Sequence, residues 1–126
     1  MNKLSLEASE YTPEVVLDAE TNTIFFKGEC RPENVSTFFD PIIQWFSDLK
    51  SSNTTKPLAV VFYLDYFNSS SAKYIMDIIF LIKEINDNGG NVDIIWKYDR
   101  DDEDVYEAGV EFEEISGVKF TYKAID

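Results

Sequence analysis

The chain has no histidine, one cysteine, four prolines and five glycines, and its cations are few: 11 Lys and Arg stand against 24 Asp and Glu in 126 residues. Without histidine, no Ser-His-Asp or Cys-His nucleophile set and no His-ligated zinc can be assembled. The side chain that titrates most readily near neutral pH is missing as well. The lone Cys30 can form no internal disulfide and no cysteine-based metal site, so a reducing cytoplasm is the expected compartment. It reads as a half-buried thiol at a strand end. The formal net charge of −13 sets the chain against phosphate backbones and anionic membrane surfaces, and neither a nucleic acid nor a membrane is expected as a partner. No run approaches the ~18 apolar residues of a membrane span, and the N-terminus carries no apolar leader.

What is present suits one core. Hydrophobic residues make up 44% and aromatics 15%, enough for a single domain over residues 1–126 without an interdomain linker. Val15 to Leu17 reads as a strand, Asp18 to Asn22 as a turn, and Thr23 to Gly28 as an antiparallel partner. The period then changes: Val35, Phe38, Phe39, Ile42, Ile43, Phe46 and Leu49 fall on one helical stripe. Pro41 inside that stripe predicts a kink, or a restart with Asp40 as N-cap. Leu58 to Leu64 (LAVVFYL) is nearly all apolar and reads as a central strand buried on both faces. A second helix starts near Ala72 and ends at Asn88-Gly89-Gly90. A strand at Val92 to Trp96, a third helix at Val105 to Ile115 and a strand at Val118 to Tyr122 complete an α/β order ββαβαβαβ. Crossover helices between strands require parallel pairing, and the opening hairpin adds an antiparallel element, so a mixed sheet is expected.

In open α/β sheets the functional crevice lies beyond the carboxyl ends of the central strands. Here that place is filled by Asp65-Tyr66-Phe67-Asn68-Ser69-Ser70-Ser71, leading straight into a helix. A helix N-terminus has unpaired N–H groups and about half a positive charge, and it stabilises phosphate. The loop therefore either binds an anionic small molecule or carries a serine that is itself phosphorylated. Anion-binding loops use glycine for close backbone approach, and this loop has none; no dinucleotide or Walker A pattern occurs. Asn and Ser are also favoured N-caps, which accounts for the loop without any ligand. Asp65 either positions the magnesium of a kinase-bound nucleotide or simply solvates the strand end. Lys73, one turn into the helix, can screen a phosphate. Tyr66 and Phe67 are either contact anchors for a partner or core residues.

The stretch Tyr66-Phe67-Asn68-Ser69-Ser70-Ser71-Ala72-Lys73-Tyr74-Ile75-Met76-Asp77-Ile78 resembles the signature of the SiaC family of regulatory phosphoproteins. Tyr11-Thr12-Pro13, Gly28 to Asn34 and Val92 to Asp99 agree with the same family, in order and over nearly the whole length. The family in turn resembles the STAS fold of anti-sigma-factor antagonists, although the usual final STAS helix has no counterpart here. The resemblance implies a non-catalytic partner switch with no cofactor. A dedicated kinase phosphorylates the protein and a PP2C-type phosphatase reverses this. Only the unmodified form then engages an output protein, in some systems a diguanylate cyclase. The family's acceptor threonine falls on Ser69; because serine stands there, followed by two more, Ser70 is the alternative acceptor. Asp65, Tyr66, Phe67, Asn68, Ser70, Ser71 and Lys73 form the expected partner surface. Monomer and homodimer both remain open.

Two acidic features carry no catalytic or metal assignment. Asp99 to Asp104 holds five acids in six residues, but an EF-hand loop counted from Asp99 would need Gly where Asp104 stands and Glu where Val110 stands. A solvated turn capping the third helix fits better. The pairs Glu107–Glu111 and Glu113–Glu114 read as an exposed helix face, and no enzyme activity is expected.

Overall fold

The structure, a computed structural model, describes residues 2–126. Six strands and three helices follow in the order β1 (Leu4–Leu6), β2 (Glu14–Asp18), β3 (Thr23–Cys30), α1 (Val35–Ser51), β4 (Pro57–Phe67), α2 (Ser69–Asp87), β5 (Asn91–Asp99), α3 (Glu103–Ser116) and β6 (Phe120–Ile125). The strands form one sheet in chain order, β1-β2-β3-β4-β5-β6. β1, β2 and β3 pair antiparallel, whereas β3, β4, β5 and β6 pair parallel. The mixed α/β sheet expected from the element order is thus present, with one strand more. β1 escapes sequence reading because it is only three residues long, too short for a period to show.

Each parallel crossover steps one strand in the same direction, so right-handed connections put all three helices on one face. Burial follows from that. In β4, Leu58, Val60, Phe62 and Leu64 are at most 3% exposed, while Ala59, Val61 and Tyr63 are only partly covered. The expectation that this strand is buried on both faces is therefore corrected. Its apolar residues at alternate positions face a side of the sheet that carries no helix.

Pro41 neither ends nor restarts α1, which runs unbroken with Asn34 as its N-cap. The proline removes the bond to the Thr37 carbonyl, but Thr37 and Pro41 both lie on the exposed side, where water can serve that group. Phe39, Ile42, Phe46 and Leu49 form the buried stripe beneath them.

The core is aromatic at its centre. Phe26 of β3 and Phe62 of β4 stack at 4.9 Å, and Trp96 of β5 contacts Phe62, Phe67, Phe112 and Phe120. The Trp96 indole Nε1 donates to the Val105 carbonyl at 2.9 Å, which fixes the start of α3 over the sheet. At the other end of α3, Glu113 accepts from the Phe120 N–H and from the Tyr122 hydroxyl, each at 2.7 Å. Among the described residues no helix is long and apolar enough to cross a membrane.

Candidate functional site

The carboxyl end of β4 delivers the chain to α2 through a single residue, Asn68. Its extended backbone (φ −83°, ψ 172°) leaves the helix, and its side-chain Oδ1 accepts the Ser71 N–H at 2.9 Å. The Asn68 carbonyl accepts from Ala72, and the Asn68 N–H donates to the Cys30 carbonyl at 3.1 Å. The turn is therefore held from both sides: by its own cap and by the end of β3. That end is placed by an irregularity at Gly28 and Glu29, where the register shifts and Gly28 adopts φ 121°, so that Cys30 pairs with Phe67. A side chain at Gly28 would be strained in that conformation.

The three serines have different environments. Ser69 and Ser70 occupy the first two helical positions and are exposed. Their N–H groups have no carbonyl one turn earlier to bond, so the site keeps two free donors and the positive end of the helix dipole. Ser71 is 0% exposed and its Oγ has no hydrogen-bond partner. It cannot lie on a contact surface, so its expected place there is corrected: the period of the helix turns it inward against the end of β3. The polar side chain beside it is the Cys30 thiol, too loosely placed to count as a full partner; burial pushes that thiol up to about 11, and the neighbouring Ser71 hydroxyl acts in the other direction. The thiol is 1% exposed and protonated at neutral pH, which makes it an inert core group.

The two aromatic residues also separate. Tyr66 is 51% exposed, while Phe67 is partly buried and packs on Trp96 and Phe112 with ring centroids 6.4 and 5.7 Å apart. Lys73 is exposed one turn beyond Ser69 and Ser70, on the face where a side chain four positions on meets its neighbour. It makes no ion pair among the described residues.

Asp65 lies on the rim of a shallow crevice of about 300 Å³ between the end of β4 and the start of α3, shared with Tyr66, Asp102 and Asp104. Partial burial, then the charges of Asp99, Glu29 and Asp102, push the Asp65 carboxyl above the ordinary carboxylate range. Asp99 accepts the Tyr63 hydroxyl at 2.5 Å, and this bond raises the tyrosine's pKa in turn. From residue types alone, Asp99, Asp102 and Asp104 read as a solvated turn. Asp102 does cap α3, accepting the Val105 N–H at 3.1 Å, yet it also borders this crevice. Adjacent parallel strands end at the same sheet edge, which brings the residues after β5 beside those after β4. Among the described residues no group of three or more potential ligands is arranged to hold a metal ion. Arg31 is a further residue at this edge that the sequence pattern does not mark. It follows the Cys30 carbonyl that holds Asn68, and its guanidinium lies 4.8 Å from the Tyr11 ring centroid and 3.1 Å from Glu29.

A mixed sheet with helices on one face, and two exposed hydroxyls at a helix start beyond its central strand, defines a small α/β domain. The chain is a member of the SiaC family: the model of the SiaC family regulatory phosphoproteins matches residues 6–125. It is 32% identical over its full length to an uncharacterized protein of Pseudomonas aeruginosa strain UCBPP-PA14, covering 99% of that protein. Apo-SiaC from Pseudomonas aeruginosa matches with a TM-score of 0.86 at 29% identity, covering all of both chains. In a crystal structure of the diguanylate cyclase SiaD in complex with its activator SiaC, from the same organism, the match has a TM-score of 0.90 at 31% identity over 97% of this chain and 99% of that one.

Proposed function

We propose that this protein is a non-catalytic cytoplasmic switch, reversibly phosphorylated on Ser69, whose unmodified form binds and activates a diguanylate cyclase. A dedicated kinase and a PP2C-type phosphatase set the two states. The observation that carries the reading is the exposure of Ser69 at the first position of α2, with Asn68 holding the turn and Ser71 turned away. The activation half of the reading rests on the likeness to the SiaC seen in complex with a cyclase.

The physical switch is local. Phosphate adds roughly two negative charges and three acceptor oxygens at a helix start that favours them. Lys73 stands one turn on to screen it. An output protein that covers the unmodified loop would instead have to bury a dianion, at a cost on the order of several kcal/mol, which is enough to abolish binding. The net charge of −13 changes little in proportion, and charges beyond roughly 8–10 Å are screened at physiological salt, so the effect belongs to the Ser69 surface. Tyr66, exposed at the edge of that surface, is the anchor we assign to the output partner.

Incubation with a kinase of the cognate type and ATP, followed by mass-spectrometric mapping, tests the acceptor. Phosphate on Ser69 that disappears in Ser69→Ala is the expected result. Transfer to Ser70 in the wild type would move the acceptor by one position, and phosphate confined to residues outside Ser69 and Ser70 would overturn the reading.

A further inference from the structure

The guanidinium of Arg31 is only partly engaged. Its Nε donates to Glu29 Oε2 at 3.1 Å and its Cζ stands 4.8 Å from the Tyr11 ring centroid, while its Nη groups donate to nothing among the described residues. The side chains of Arg31 and Glu29 are 44% and 47% exposed, so their ion pair contributes little and is readily exchanged. The backbone sets this arginine close to the start of α2. The Cys30 carbonyl accepts the Asn68 N–H at 3.1 Å, and Arg31 and Ser69 are the residues next after that bonded pair. Neighbouring strands lie about 4.8 Å apart and successive Cα atoms about 3.8 Å, which puts the two Cα atoms within roughly 9 Å. An arginine and a phosphoserine side chain together span that gap. The first turn of α2 carries no acidic side chain, but the neighbouring end of β4 is a negative region: Asp65 feels Asp99, Glu29 and Asp102, and Lys27 least of all. A phosphate added there needs a local cation.

We propose that Arg31 is the intramolecular partner of phosphorylated Ser69: its guanidinium leaves Glu29 and Tyr11 and binds the phosphate oxygens through paired N–H groups. The proposal rests on the reading of Ser69 as the acceptor and names the residue that receives its phosphate. The planar fork of arginine matches phosphate bidentately, whereas Lys73 supplies a point charge. A phosphate with nearly two charges and three acceptor oxygens competes well against a single exposed carboxylate for that fork. The exchange also carries the switch across to β3. Glu29 is the register neighbour of the exposed Tyr66. Once Arg31 has moved, Glu29 stands without its cation beside the residue assigned to the output partner, and phosphorylation changes the charge of that surface at two places instead of one.

The test uses the isotopically labelled full chain with phosphoserine genetically encoded at position 69, so that no kinase is involved. Phosphorus NMR titration then reads the second pKa of the phosphate, ordinarily about 6. With Arg31 present it should lie at least about half a unit below its value in Arg31→Ala, with Arg31→Lys between the two and Lys73→Ala close to the unsubstituted chain. The Arg31 Nε–Hε resonance and the Tyr11 ring resonances should both move between the unmodified and phosphorylated proteins. Because Arg31 is a surface residue, the amide spectra of the unmodified variants should match the wild type away from position 31. An equal phosphate pKa with and without Arg31, an unmoved Nε resonance, or a shift that depends on Lys73 alone would overturn the proposal while leaving Ser69 as the acceptor. A kinase that modifies another residue would overturn the acceptor and leave the result of this titration standing.

Discussion

The Asn68 side chain accepts the Ser71 N–H at 2.9 Å, and this bond connects the end of β4 to the position of Ser69. Removing it in Asn68→Ala should cost about 1 kcal/mol of stability, the usual value of an N-cap. Chemical denaturation would measure the loss. The same variant should be phosphorylated more slowly than wild type, because the frayed first turn no longer presents Ser69 in one conformation.

Ser71 provides the opposite case. Its hydroxyl is buried with only the Cys30 thiol, a weak partner, beside it, and a poorly satisfied buried polar atom costs free energy that alanine does not. Ser71→Ala should therefore be neutral or stabilising by up to about 1 kcal/mol, and its phosphorylation by the kinase should be unchanged. A clear destabilisation on urea titration would mean that the contact with the Cys30 thiol satisfies the hydroxyl.

Gly109 of α3 lies against the Trp96 ring, where a Cβ would stand 2.6 Å from indole Cδ1 and Nε1. In an open helix Gly→Ala gains about 1 kcal/mol. Here the gain is outweighed, since overpacking costs about 1–3 kcal/mol and the indole is held by its bond to Val105. Gly109→Ala should lower the unfolding midpoint and disturb the near-ultraviolet signal of the tryptophan.

The crevice acid makes stability depend on pH. Asp65 has a folded-state pKa above its unfolded one, chiefly through burial. Folding therefore favours its protonated form, and the associated stability is present below the ordinary carboxylate range and lost as pH rises through the folded value. Asp65→Asn should raise the melting temperature near pH 7 and leave it nearly unchanged near pH 3. An equal shift at both pH values would show that charge is not the cause.

Most of the sheet and all three helices are legible in the sequence, because each carries a period strong enough to fix which residues face the core. The stripe from Phe39 to Leu49 and the alternation in β3 are examples. Two things are not legible. An apolar run such as Leu58 to Leu64 looks the same whether one or two faces are covered, since only the side taken by the crossovers decides it. In the loop, the residue types identify a helix start, yet a run of three serines says nothing of which one the helix turns inward. The backbone geometry separates Ser69 and Ser70 from Ser71, and likewise Tyr66 from Phe67.

Cyclase activity tests the switch most directly. A diguanylate cyclase of the SiaD kind would be assayed for cyclic dinucleotide production with the unmodified protein and with protein stoichiometrically phosphorylated on Ser69. Activation by the unmodified form, and activation reduced at least about tenfold by the phosphate, is the predicted result, since 1.4 kcal/mol of lost binding already gives that factor. Equal activation by the two forms would contradict it.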